Sequence, residues 1–229
     1  MYAAISGKAA QKGGSRFREK TVRLNYFTSA QFGLQALSKR RIKIARLTEL
    51  NDPFEFLAAD LSDKNSRTLL RQTRATLSET KGILCFSRVW NNPVLWGHYA
   101  DKHHGVALGF EVPSTHAHPI AYVSSRLSWP AVIDGAFVCR LLFTKFSHWS
   151  YEDEYRVYVD LDSQEGGLYF ADFSETLALR RVIVGCESAL TRADIREALG
   201  GHSDIDVFKA RPAFKSFRIV RNRDESLWA

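Results

Sequence analysis

A chain of 229 residues fits one large domain or two small ones, and 45% hydrophobic with 12% aromatic residues excludes a disordered protein. No apolar run approaches the roughly 20 residues that a membrane-spanning helix needs, and residues 1–20 lack the apolar centre of a secretory signal. The net charge of +7 is uneven: eleven Lys or Arg lie between Lys8 and Arg46 with only Glu19 against them, and Lys209, Arg211, Lys215, Arg218, Arg221 and Arg223 form a second basic cluster.

Met1–Lys20, basic and rich in small residues, reads as a flexible arm. Thr21–Thr28 predicts a strand, and Ser29 a cap for a helix over Ala30–Lys39. Arg41–Leu47 alternates basic with apolar residues, an edge-strand pattern with Ile42 and Ile44 inward. Asn51-Asp52-Pro53 is turn chemistry. A fixed polar loop after a strand suits ligand contacts, and it equally suits a plain turn.

Leu61–Lys81 is compatible with a polar helix carrying a thin stripe of Leu69, Leu70 and Leu77. Ile83–Phe86 predicts a central strand ending at Ser87. Asn92 and Pro93 predict a helix start, with the helix running from Val94 to His104 and stopping at Gly105. His98, His103 and His104 lack a metal-ligand spacing. Val106–Val112 predicts a strand, Pro113–Gly135 a loop region with one strand at Ile120–Val123, and Phe137–Phe143 is apolar.

Trp149–Tyr158 holds the densest chemistry. Read as a strand, it projects Ser150, Glu152, Glu154, Arg156 and Tyr158 from one face, with next-but-one Cα atoms about 6.5–7 Å apart. Two carboxylates and a guanidinium in a row either line a cleft or form a solvated face with an internal salt bridge. Asp52 and Glu55 could converge with Glu152 and Glu154, which keeps a metal-dependent nuclease open as an alternative. Further strands are expected at Leu168–Phe173, Leu177–Cys186, Ile205–Lys209 and Ser216–Arg221, and a helix capped by Thr191 runs to Leu199. Strands predominate in irregular order. The expectation for residues 21–229 is therefore a single α+β domain with a mixed, largely antiparallel sheet flanked by helices.

Cys85, Cys139 and Cys186 are widely spaced, form no CxxC, and read as buried free thiols of a cytoplasmic protein. No metal site is expected. No GxGxxG, GxxxxGK[ST] or GxSxG occurs, so Rossmann, P-loop and hydrolase-elbow chemistry have no support. The basic clusters raise the local concentration of anionic partners, nucleic acid among them.

Asn51-Asp52-Pro53-Phe54-Glu55, Cys85-Phe86-Ser87, Leu95-Trp96-Gly97-His98-Tyr99-Ala100 and Trp149-Ser150-Tyr151-Glu152-x-Glu154-Tyr155-Arg156 occur in that order. This set resembles the uncharacterised bacterial family of domain of unknown function 2971. More distantly, the order of elements is similar to the ADP-ribosyltransferases, especially toxin-like enzymes that modify nucleic acids. That resemblance implies NAD as substrate, with Glu154 stabilising the ribose oxocarbenium ion, Glu152 acting on the acceptor, and Ser87 supporting the site. It further implies NAD contacts from Tyr26, Thr28, Asn51, Asp52, His98, Tyr99 and Arg156, and an antitoxin or immunity protein as a partner. The first strand, Leu24–Ser29, carries neither the Arg nor the His that usually anchors NAD in that superfamily; Arg23 lies just upstream. A non-catalytic nucleic-acid-binding or sensor module is the alternative reading of the same residues.

Overall fold

Each α-helix among the described residues starts on a side chain that accepts a backbone N–H of its first turn. Ser29 accepts from Phe32, Asp63 from Ser66, Asn92 from Val94, Asp134 from Phe137 and Thr191 from Asp194. The computed structural model describes residues 19–202, 204–224, 226 and 228. The predicted arm, Met1–Lys20, lies almost wholly outside them.

In chain order the elements begin β1 (Thr21–Thr28), α1 (Ala30–Lys39), β2 (Arg41–Arg46), α2 (Lys64–Thr80) and β3 (Lys81–Ser87). Next come α3 (Pro93–Tyr99), β4 (Val106–Pro113), β5 (Ala117–Pro119), β6 (Ala121–Val123), α4 (Gly135–Leu142) and β7 (Thr144–Phe146). The chain ends with β8 (Glu154–Asp160), β9 (Gln164–Glu165), β10 (Leu168–Asp172), β11 (Ala178–Val184), α5 (Arg192–Leu199), β12 (Asp206–Pro212) and β13 (Ile219–Arg221). The strand pairing is mixed and largely antiparallel, as the composition of the elements predicts. The helix over Val94–His104 is shorter than expected. It closes at Tyr99, and Asp101, Lys102 and His103 take positive φ in the turn that follows.

The described chain divides into two units that interleave along the sequence. Of the described residues, one comprises 19–20, 43–85 and 114–170, and the other those within 21–42, 86–113 and 171–229. In the first, β2 and β3 pair antiparallel at Ala45↔Ile83, β5 and β8 antiparallel at His118↔Arg156, and β6 and β7 parallel at Tyr122↔Lys145. Its core gathers Leu47, Phe56, Ala59, Leu70, Ile83, Phe137, Leu141 and Leu142. Of the predicted stripe on α2, Leu70 is fully buried, whereas Leu69 is exposed. The apolar run Phe137–Phe143 is mostly α4: Asp134 caps it, and Phe137 and Leu141, one turn apart, enter the core.

In the second unit β1 pairs with β4 in full antiparallel register from Thr21↔Pro113 to Thr28↔Val106. β4 pairs antiparallel with β11, β11 parallel with β12, and β12 antiparallel with β13. β4 is buried along almost its whole length, as an interior strand covered on both faces must be. Trp96, Ala107, Ile183 and Phe208 fill the core. Among the described residues no helix is long and apolar enough to cross a membrane.

Gly105 and Gly185 lock the end of β4 to the end of β11 through a bond from Gly185 N to Gly105 O of 2.9 Å. A Cβ at Gly185 would collide with the His103 carbonyl oxygen, and one at Gly105 with that of Thr28. Backbone cannot yield as a side chain does, so Gly185→Ala is expected to lower stability by about 1–3 kcal/mol or more. A urea-denaturation midpoint equal to that of the parent chain would contradict this packing.

Candidate functional site

Trp149–Tyr158 is not one strand. Ser147–Glu152 forms a 3-10 turn, Asp153 adopts the left-handed conformation (φ 43°, ψ 52°), and β8 begins only at Glu154. Trp149 and Tyr151 favour extended structure, but Ser147, Ser150 and Asp153 supply local turn chemistry, and Asp tolerates positive φ better than most residues. Glu152 and Glu154 are therefore related by a turn rather than by the pleat of a strand.

The two carboxylates meet nonetheless, on a residue from β7. Lys145 Nζ donates to Glu152 Oε2 at 2.7 Å and to Glu154 Oε2 at 2.9 Å, and lies 3.5 Å from Glu55 Oε1. Arg156 completes the cluster. Its Nε donates to Glu154 Oε1 at 2.7 Å, one terminal nitrogen to Glu55 Oε1 at 2.6 Å, and the other to the Leu142 carbonyl at 2.7 Å. That carbonyl ends α4, where a helix leaves acceptors unpaired and favours a cation. All five charged side chains are buried, Arg156 completely. Beside them, Glu154 N donates to the Tyr122 hydroxyl at 2.9 Å, and the Lys145 ammonium lies 5.0 Å from the centre of the Trp149 ring.

Glu55 arrives through the Asn51–Glu55 turn. Asp52 Oδ1 accepts from Phe54 N at 2.9 Å, and Glu55 N donates to Asp52 O at 3.0 Å, an Asx turn that aims the next acid inward. Phe56, fully buried in the core, holds a positive φ of 64°, an unusual conformation for a bulky residue. The turn thus sends Glu55 to the ion cluster and Phe56 to the apolar core.

Burial opposes the charge on Glu154, but Arg156 and Lys145 outweigh it and hold its carboxyl at about 2, well below the usual range. Burial likewise works against the charges of Lys145 and Arg156, and the surrounding glutamates more than offset it, raising both. Burial pushes the Tyr122 hydroxyl up to about 12 and the Cys85 thiol well above its ordinary value, with Glu154 adding to both. Three carboxyl groups meet two fixed cations, one acid more than base. Although the three acids converge, an ammonium fills the point where they meet, and among the described residues no group of His, Cys, Asp and Glu is arranged to hold a metal ion.

A cleft of about 280 Å³ opens beside the cluster. Lys145 lines it, with Thr144, Phe146, Ser124, Ser125, Arg126 and Phe54. Phe54 and Phe146 are 56% and 44% exposed, so two aromatic rings border a hollow that Lys145, bonded to Glu154, also lines. Arg126 is held there by bonds to the Leu57 and Ala59 carbonyls at 2.7 and 3.0 Å.

Of the residues singled out from the sequence, Glu152, Glu154 and Arg156 come together. Asn51 is exposed, and the Asp52 carboxylate shapes the turn that delivers Glu55. Ser87, Tyr26, Thr28, His98 and Tyr99 belong to the second unit. There the Ser87 hydroxyl donates to Val89 O at 2.8 Å and accepts from Val89 N, fastening the end of β3. Tyr26 sets its ring edge-on to Phe86, Thr28 pairs with Val106, and His98 packs against Tyr99. Sequence reasoning missed Lys145 and Tyr122 as members of the site. Lys145 stands alone between Thr144 and Phe146 in a three-residue strand, and no motif marks it. Compared with family models, curated proteins and solved structures, the chain matches none.

Removing one partner of a buried ion network leaves uncompensated charge behind. Arg156→Met is expected to destabilise the protein by about 3–5 kcal/mol in urea denaturation, and the added change Glu154→Gln to recover part of that loss. Stability should also depend on acid in a defined window. Because the folded Glu154 value lies below its ordinary 4.5, its contribution is complete above that value and is lost as pH falls toward about 2. A stability profile flat across that interval would contradict the assignment.

Proposed function

We propose that the chain is an NAD-consuming, ADP-ribosyltransferase-like enzyme in which Glu154 stabilises the oxocarbenium ion formed as nicotinamide leaves. The observation that carries this reading is a buried carboxylate, bonded by Arg156 and Lys145, that lies one hydrogen bond from a cleft-lining residue. A developing positive charge on ribose needs such a preorganised anion, and the cluster holds one acid more than its cations neutralise. The bond from ribose C1′ to the nicotinamide nitrogen breaks, its electron pair leaving with neutral nicotinamide. The acceptor's nucleophile then bonds to C1′ and gives up its proton to Glu152. Phe54 and Phe146 offer flat faces for an aromatic ring, and Arg126 offers a cation to a phosphate. The order of elements in the sequence, with its distant similarity to ADP-ribosyltransferases, supports the same reading.

A second reading has its own support. Both oxygens of Glu154 already accept from Arg156 or Lys145, which is also how a purely structural ion staple is built. On that reading the chain is a binding or sensor module without turnover.

Incubation of the full chain with NAD and, in separate arms, RNA, DNA or protein extract separates the two. Nicotinamide release by the parent chain is expected, reduced by about 10²-fold or more in Glu154→Gln with the circular dichroism spectrum unchanged. If Glu154→Gln proves unfolded, Glu152→Gln serves instead: transfer to the acceptor should fall while release persists. The absence of release in every arm, or undiminished release by folded Glu154→Gln, overturns the enzyme reading and leaves the module.

A further inference from the structure

The β12–β13 hairpin presents a different surface. Its base is anchored: Ala210 and Ile219 are buried in the core of the second unit, and Ile219 N donates to Asn91 O at 2.9 Å. Its tip is closed by a bond from Ala213 N to Arg218 O at 2.8 Å. Between those residues Phe214 and Phe217 stand 88% and 99% exposed. Apolar ring surface left in water is unfavourable, and two such exposed rings three positions apart on a tied turn make a patch rather than a stray exposed residue.

The charge around the rings identifies the chemistry that fits. Arg211, Lys215 and Arg218 alternate with them, and the Arg211 guanidinium lies 4.2 Å from the centre of the Phe214 ring. Among the described residues Arg211, Lys215 and Arg218 form no ion pair with an acid, whereas Arg221, further down the hairpin, is bonded to Asp206. Aromatic faces interleaved with cations on one loop match a polymer of flat rings joined by phosphates. Arginine predominates among these cations, and its planar fork matches phosphate oxygens. The wide exposure of the rings suits bases that are already unpaired.

We propose that this hairpin tip binds single-stranded nucleic acid, with Phe214 and Phe217 stacking on bases and Arg211, Lys215 and Arg218 neutralising backbone phosphates. The proposal rests on the second unit alone and does not depend on NAD chemistry. It would, however, give that chemistry a way to select an acceptor.

The test is fluorescence anisotropy of the full chain with a labelled oligo-dT or oligo-U strand of roughly 16 nucleotides, with anionic phospholipid vesicles as a parallel arm. Phe214→Ala/Phe217→Ala should weaken strand binding on the order of tenfold for each ring removed. Lys215→Ala/Arg218→Ala should flatten the slope of log affinity against log salt by about 1.4. Phe214→Leu/Phe217→Leu keeps the apolar bulk but removes the rings, and should lose strand affinity as the alanine pair does. Circular dichroism confirms that each variant is folded. Unchanged affinity in the alanine pair, full affinity in the leucine pair, or binding to vesicles but not to the strand would overturn the proposal. So would self-association through the patch that disappears in the alanine pair while strand binding is absent.

Discussion

One guanidinium organises the first unit. Arg156 is fully buried and spends its donors on Glu154 of its own strand, Glu55 of a turn about a hundred residues earlier, and the carbonyl that ends α4. A charge so placed is tolerable only when every donor has an acceptor. The positions of β8, the Asn51–Glu55 turn and α4 are therefore conditions on one another. Lys145 adds a second knot by joining β7 and the 3-10 turn to the same acids. The apolar core sets the stability of this unit, and the ion cluster sets which segments must meet.

Much of this was readable from residues. β1 and α1 fall where propensity and capping place them, because a run holding Val22, Tyr26 and Phe27 favours a strand and Ser29 then caps the helix. Glu152, Glu154 and Arg156 stood out as unusual, and Glu55 as an acid able to converge on them. The strand reading of residues 149–153 failed because aromatic side chains raise strand propensity while a left-handed Asp153, whose N–H bonds back to the Ser150 carbonyl, decides the backbone. Lys145 and α4 were not legible for another reason. An isolated lysine in a short strand acquires meaning only from the acids that fold onto it, and an apolar run as brief as Phe137–Phe143 fits either helix or strand. The solvated charged face considered for Glu152, Glu154 and Arg156 gives way to a buried cluster, because tertiary contacts from Glu55 and Lys145 cover it.

The functional reading follows from a tension within that cluster. The cations that keep Glu154 ionised also occupy it, so its capacity to stabilise another positive charge depends on the surplus of acid over base. The neighbouring cleft, with its two half-exposed phenylalanines, is where such a surplus would be felt. The basic aromatic hairpin lies in the other unit, is built on different physics, and is tested separately.

The central claim is that Glu154 is held as a carboxylate by Arg156 and Lys145. It is tested most directly by following the Glu154 side-chain carboxyl carbon by NMR as the full chain is acidified. The account predicts no titration through the ordinary glutamate range and a midpoint at about 2. A midpoint near 4.5, the ordinary value, would contradict it.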